Sequence, residues 1–244
     1  MVRAILIDLD GTLVDTLGEI AVAANAMLVE AGRKPVSDRI VAEGIGEGSA
    51  VLVERLVGRD EAARWLPVYM QHYCVHNGTS ARLFINVKAG LDAMRAMGLA
   101  LACVTNKPSE LVLPLLDRLG IASHFDALIG GGDTVEGKPH PAPLLAACAR
   151  MNVAPDACVM IGDSKNDALA ARAAGMVSLT VPYGYPGASG DEGRAEALLE
   201  RGITDAVVPD LLAASHWIAL QNQHQRQTFD GPDASVPDRR TDHA

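Results

Sequence analysis

Five short apolar runs constrain the fold of this chain more than any other feature. Residues 4–7, 100–104, 127–129, 158–161 and 177–181 each end in small or polar residues and lack strict alternation of polar and apolar positions. Runs of that kind read as strands buried on both faces. Between most of them lie segments with helical spacing, such as Leu111, Leu115, Leu116 and Leu119, or Leu144, Leu145 and Cys148. Strand and helix in repeated alternation predict an α/β fold, a Rossmann-like doubly wound parallel sheet.

Residues 16–82 break that rhythm, because they offer helices and no convincing strand. Leu17, Ile20, Ala21, Ala24, Leu28 and Ala31 mark an apolar stripe that Gly32 is placed to stop. Further helices are expected over Asp38 to Glu43, Ser49 to Val57 and part of Glu61 to His76, with Pro67 breaking or kinking the last. The expected organisation is a core of residues 1–15 and 83–215 with an inserted α-helical cap at 16–82. A chain of 244 residues with 49% hydrophobic content can bury a core of that size. Over residues 221–244 apolar side chains almost vanish, so a disordered tail is expected there.

The formal net charge of -9 disfavours a nucleic-acid partner, which would need a broad basic face. A small anionic substrate remains compatible, since a metal and one lysine reverse the field locally. No apolar run approaches the roughly 20 residues needed to cross a bilayer, and no basic segment leads into an apolar signal core. The expectation is therefore no membrane partner and a cytoplasmic location. Cys74, Cys103, Cys148 and Cys158 form no CxxC pair and read as reduced thiols. His72 and His76 alone have metal-ligand spacing, and cap packing or exposure explains them as well.

The strongest chemical signal is AILIDLDGTLVDT at residues 4–16. It sets Asp8 and Asp10 at the carboxyl end of a parallel strand, where open α/β sheets hold their ligands. Gly11 permits a turn whose exposed amides can hold phosphate oxygens. Over the dipeptide alone, an ordinary strand end with an Asp-Gly turn reads the same way.

The string Asp8-Leu9-Asp10-Gly11-Thr12-Leu13-Val14-Asp15-Thr16 resembles the first signature of the haloacid dehalogenase superfamily, in its phosphatase branch. Three further matches follow in order: Val104-Thr105-Asn106, Gly137-Lys138-Pro139-His140-Pro141 and Ile161-Gly162-Asp163-Ser164-Lys165-Asn166-Asp167. The resemblance covers residues 1 to about 215. It implies a nucleophile at Asp8, which forms an aspartyl phosphate, and a general acid and base at Asp10. It implies that Lys138 neutralises charge, that Thr105 orients the phosphoryl group, and that Gly11, Thr12 and Asn106 help to bind it. Mg²⁺ would lie on the Asp8 carboxylate, the Asp10 carbonyl and Asp163, with Asp167 supporting the ion or its waters. Thr105, and Asp163 or Ser164, can also serve as helix caps. In relatives with a helical cap, a loop like Gly44-Ile45-Gly46-Glu47-Gly48 leans over the site, which makes Gly46 a substrate-binding candidate; a bland linker fits the same glycines.

Within the superfamily the chain resembles the phosphoglycolate phosphatases in its cap size and in the strings GGDTVEGKPHPAPLL, IGDSKNDALAARAAG and PYGY. That resemblance implies a monomer or homodimer that hydrolyses a small phosphorylated metabolite, 2-phosphoglycolate, to glycolate and phosphate. One departure is Phe84-Ile85-Asn86-Val87, which replaces a Tyr-Pro-Gly-Val-like string where the chain returns from cap to core. The rival readings are a sugar-phosphate or pyrophosphate phosphatase, a phosphomutase, and a receiver-like phospho-accepting protein.

Overall fold

A computed structural model describes residues 1–185 and 187–229. Its main sheet has the strand order β5-β4-β1-β6-β7-β8, all parallel. The strands are β1 (Ala4–Ile7), β4 (Ala100–Pro108), β5 (Ala127–Gly131), β6 (Cys158–Gly162), β7 (Val177–Thr180) and β8 (Ala206–Val207). Pairs Ala4 with Ala100 and Ala4 with Cys158 fix the register on the two sides of β1. The lack of alternation in these runs has its cause here: both faces of the sheet are covered.

Successive β1 residues divide between two cores, as a period of two requires. Ile5 and Ile7 pack with residues of α5 (Val87–Ala96), α6 (Ser109–Arg118) and α10 (Leu211–Phe229). Ala4 and Leu6 pack with residues of α7 (Ala142–Met151) and α8 (Lys165–Ala173) on the opposite face. The chain order along the sheet reverses at β1, with β4 on one side and β6 on the other. Connections therefore diverge above its carboxyl end and leave a crevice where Asp8 follows the strand.

A two-stranded antiparallel ribbon of β2 (Val14–Asp15) and β3 (Arg82–Leu83) carries the chain away from the sheet and back. Between them lie α1 (Leu17–Glu30), α2 (Asp38–Ala42), α3 (Ser49–Val57) and α4 (Arg59–His76). Ile20, Ala24, Met27, Leu28, Leu52, Val53, Tyr69 and Tyr73 form a separate apolar cluster in this helical layer. Of the expected stripe on α1, Ile20, Ala21, Ala24 and Leu28 are buried and Leu17 and Ala31 half-buried, and Gly32 follows its end at φ 69°.

Several expectations need correction. Of the break or kink expected at Pro67, the break does not occur, since Pro67 lies inside α4 without ending it; packing of Tyr69 and Tyr73 against the other helices offsets the lost backbone hydrogen bond. Strand β8 was not anticipated, because two half-buried residues at a sheet edge carry no apolar run. The expected tail does not begin at Gln221, since α10 runs through Phe229. Ile218 is buried, and the Asn222 side chain accepts from the Val2 N–H at 2.7 Å and donates to the Val2 carbonyl at 3.2 Å. Those contacts hold the helix to the sheet, and backbone hydrogen bonding carries it onward. Residues 230–244 of the expected tail lie outside the described residues.

The Phe84-Ile85-Asn86-Val87 departure has a local account. Asn86 occupies the left-handed region at φ 61° and donates through Nδ2 to Asp210 Oδ2 at 2.7 Å. Asparagine is the residue other than glycine that best accepts that conformation. No described helix is long and apolar enough to cross a membrane.

Candidate active site

Asp8 continues the pairing of β1 beyond its end, with its N–H donating to Ile161 O at 2.9 Å. Lys138 Nζ donates to Asp8 Oδ1 at 2.7 Å, Asp167 Oδ1 at 2.6 Å and Val104 O at 2.7 Å. All three of its protons are thereby directed, so the lysine reads as a fixed charge and not as a solvated loop cation. The Asp163 carboxylate accepts from the Thr12 hydroxyl at 3.1 Å and from the Tyr185 N–H at 2.6 Å. Asp167 Oδ2 accepts from the Ser164 N–H at 3.1 Å and hydroxyl at 2.6 Å. That pair forms the capping box of α8, so Asp167 serves helix and site together.

Asp8, Asp163 and Asp167 each offer a carboxylate oxygen within 4.8 Å of the others, and all three residues are buried. Three carboxylates facing one ammonium leave the group short of positive charge. Burial, opposed by Lys138 and reinforced by Asp167, pushes the Asp8 carboxyl up to about 7. Burial and then the charges of Asp8 and Asp167 hold Asp163 well above the usual carboxylate range. Burial acts to lower the Lys138 ammonium, but Asp167 and Asp8 overcome it and raise it above its ordinary value. A buried set of hard oxygens with excess negative charge fits a divalent cation such as Mg²⁺.

Gly11 is required by this crowding. At φ +93° it brings the turn so close that a Cβ would lie 2.3 Å from Asp163 Oδ2. Two amides of this turn are engaged within it: the Gly11 N–H donates to Val14 O at 2.9 Å and the Thr12 N–H to Leu9 O at 3.3 Å. The Thr12 hydroxyl supports Asp163, Gly11 leaves room for it, and neither residue lines the cleft.

Asp10 forms a bridge with Val14, and its carboxylate accepts from the Thr16 hydroxyl at 2.9 Å and from Lys107 Nζ at 3.4 Å. Asp8, Asp10, Thr105, Asn106, Lys138 and Gly46 all line one cleft between sheet and helical layer. Thr105 Oγ1 accepts from the Lys107 N–H at 3.1 Å. Asn106, expected to help bind the phosphoryl group, lines the cleft, and its side chain accepts from the Lys138 N–H at 2.9 Å and donates to Lys138 O and Gly46 O, both at 2.8 Å. It positions the lysine and secures the glycine loop. Gly46 O also accepts from Asn166 Nδ2 at 3.2 Å, so the glycine loop touches two core loops at once.

The sequence reading missed Lys107, whose side chain is fully buried. Its ammonium meets Asp10, the Tyr73 hydroxyl and, at 4.0 Å, Glu19 Oε1. Glu19 Oε2 accepts from the Gly78 N–H at 2.8 Å, whereas Oε1 is buried without a hydrogen-bond partner. The available signal was position: Lys107 lies two residues beyond Thr105 at the end of β4, and both line the cleft. Tyr73 and Glu19 come from α4 and α1 and carried no such signal. His72 meets Glu30 at 2.7 Å, and His140 accepts from the Ala142 N–H at 3.2 Å near the start of α7.

Comparison with known proteins extends these observations. The sequence pattern of the haloacid dehalogenase-like hydrolases matches residues 2–175. The phosphoglycolate phosphatase of Nitrosospira multiformis is 40% identical over 225 residues, covering 89% of this chain and 96% of that protein. The phosphoglycolate phosphatase of Thiobacillus denitrificans is also 40% identical, over 88% of this chain and 94% of its own length. Among solved structures, a predicted phosphoglycolate phosphatase from Haemophilus somnus superposes with a TM-score of 0.75 at 32% identity, covering 86% of this chain and 95% of that one.

Proposed function

Because this chain belongs to the haloacid dehalogenase-like hydrolases, we propose that it is a Mg²⁺-dependent phosphatase that converts 2-phosphoglycolate to glycolate and phosphate. The observation that carries this reading is the buried Asp8 carboxylate held 2.7 Å from Lys138 Nζ, with Asp10 two residues on and facing the same cleft. An Asp8 oxygen attacks phosphorus while Asp10 gives its proton to the departing alkoxide. Water then attacks the aspartyl phosphate, and the Asp10 carboxylate takes its proton, which frees Asp8 and phosphate. Lys138 neutralises the nucleophile and the equatorial oxygens as two anions approach. Asp8, Asp163 and Asp167, with the Asp10 carbonyl, would hold the ion. When bound, the ion supplies the positive charge that these carboxylates and the phosphoryl group otherwise lack.

The substrate follows from the relatives' names and from Lys107. In 2-phosphoglycolate the carboxylate stands one methylene from the ester oxygen. An ester oxygen that faces Asp10 places that carboxylate beside Lys107, whose Nζ is 3.4 Å from Asp10 Oδ1. Residues 16–82 act as the cap. Their glycine loop closes the cleft over the bound ester and excludes bulk water.

Phosphate release is to be measured with purified protein and Mg²⁺ on a panel of 2-phosphoglycolate, sugar phosphates and pyrophosphate. The highest kcat/KM is expected for 2-phosphoglycolate, and a better sugar phosphate would reassign the substrate. No turnover of any panel member would refute the phosphatase reading, and wild-type turnover by Asp8→Asn would exclude Asp8 as the nucleophile.

A further inference from the structure

Tyr185 belongs to none of the four signature strings, yet it joins two parts of the molecule that the reaction needs together. Its backbone N–H donates to Asp163 Oδ2 at 2.6 Å. Its phenolic oxygen accepts from the Thr16 N–H at 2.9 Å and the Leu17 N–H at 3.0 Å, and donates to Asp15 Oδ1 at 2.5 Å. Leu17 is the first residue of α1, and Thr16 is its N-cap. A threonine there normally caps with its own hydroxyl. Here that hydroxyl donates to Asp10 Oδ1, and amides at the start of the helix are served by a tyrosine far along the chain.

The neighbouring residues reinforce the arrangement. The Tyr183 hydroxyl donates to Thr12 O at 2.9 Å, and its ring lies 4.5 Å from that of Phe84, just after β3. Residues 183–185 thus grip the chain both where it leaves the sheet and where it returns. Between the two tyrosines, a Cβ on Gly184 would stand 2.2 Å from Asp163 Oδ2, so the loop is pressed directly onto that carboxylate. The Tyr185 ring is buried with side chains of the helical layer.

We infer that Tyr185 is a positioning residue that couples the hinge of the helical layer to Asp163. A rotation of α1 about the β2–β3 ribbon pulls on the phenol, and the rigid ring passes the displacement to the amide that holds Asp163. By linkage the effect is reciprocal: an ion on the acidic cluster tightens the start of α1, and a loosened α1 weakens the ion. The inference rests on the reading that Asp8, Asp163 and Asp167 hold a divalent cation.

Hydrogen exchange of the peptide spanning residues 12–20, with and without Mg²⁺, tests the coupling in the absence of substrate, and calorimetry gives the Mg²⁺ affinity. In the wild type, Mg²⁺ is expected to increase protection of the Thr16 and Leu17 amides. Tyr185→Phe keeps the ring and the amide but loses the phenol, so that increment is expected to vanish and Mg²⁺ affinity to fall about five-fold, the low end of coupling between sites. Asp15→Asn, at an exposed position, weakens the same contact from the other side and is expected to lower the increment. Wild-type protein that binds Mg²⁺ without added protection, or a Tyr185→Phe variant with an unchanged increment and affinity, overturns the coupling alone. No Mg²⁺ binding by the wild type overturns the metal reading as well.

Discussion

Replacing Lys107 by methionine removes a buried ammonium while retaining most of its stem. Two acids face that charge, Asp10 at 3.4 Å and Glu19 at 4.0 Å. Asp10 keeps the Thr16 hydroxyl, and its side chain retains 11% exposure, so its loss is partly relieved by solvent. Glu19 has no exposure to relieve it. Burial already raises its carboxyl above 4.5, with Lys107 as the main opposing influence. Without the lysine, the main influence opposing burial is gone and the Glu19 carboxyl is raised further. Protonating a carboxyl of ordinary value 4.5 at pH 7 costs about 3.4 kcal/mol, which bounds the loss through this residue. A raised folded-state value means that the penalty is absent below 4.5 and grows as pH rises toward the folded value. Urea denaturation followed by circular dichroism should therefore show Lys107→Met destabilised at pH 7, with the part carried by Glu19 no more than about 3.4 kcal/mol, and by under about 1 kcal/mol at pH 5. Adding Glu19→Gln should restore most of the loss at pH 7. An equal loss at both pH values, or no recovery in the double variant, would refute the assignment of Lys107 as the counter-charge of Glu19.

Gly184→Ala places a methyl group against Asp163 Oδ2, and calorimetry should show Mg²⁺ affinity reduced by at least about ten-fold, in line with losses at residues that orient metal ligands. Removing divalent ions with a chelator should abolish phosphate release, and added Mg²⁺ should restore it, as measured by a phosphate assay. Asn222→Ala cuts both side-chain bonds to Val2, and a loss of about 1–2 kcal/mol in chemical denaturation is expected, with catalysis unchanged.

Much of the architecture was legible because burial on both faces leaves a direct mark on a strand. The runs at β1, β4, β5, β6 and β7 are predominantly apolar, and each was found to within a few residues of its limits, β4 extending furthest beyond its run, through the polar residues Thr105 to Lys107 to Pro108. The site's acids were legible for a different reason: metal and phosphate chemistry demand carboxylates at strand ends, and few other residue types serve. The partners of those acids were less visible. Asn106 was placed near the site, but its amide is occupied by Lys138 and Gly46. Which group a short polar side chain meets depends on loops far away in sequence. The same limit applied to α4, where Pro67 argued for a break that packing between helices overrode.

By itself the sequence determined the strand and helix alternation, the position of Asp8 and Asp10 at the end of β1, and the order in which Thr105, Lys138 and Asp163 follow. These are local or periodic properties, set by backbone geometry and by the chemistry of each side chain. Only the tertiary structure decided that Lys138 lies between Asp8 and Asp167, that buried Lys107 faces Asp10 and Glu19, and that Tyr185 holds both Asp163 and the start of α1. Each of those facts is a meeting of groups from separate elements. Charge and hydrogen-bond energies depend on distances of a few ångströms, which chain order alone does not specify.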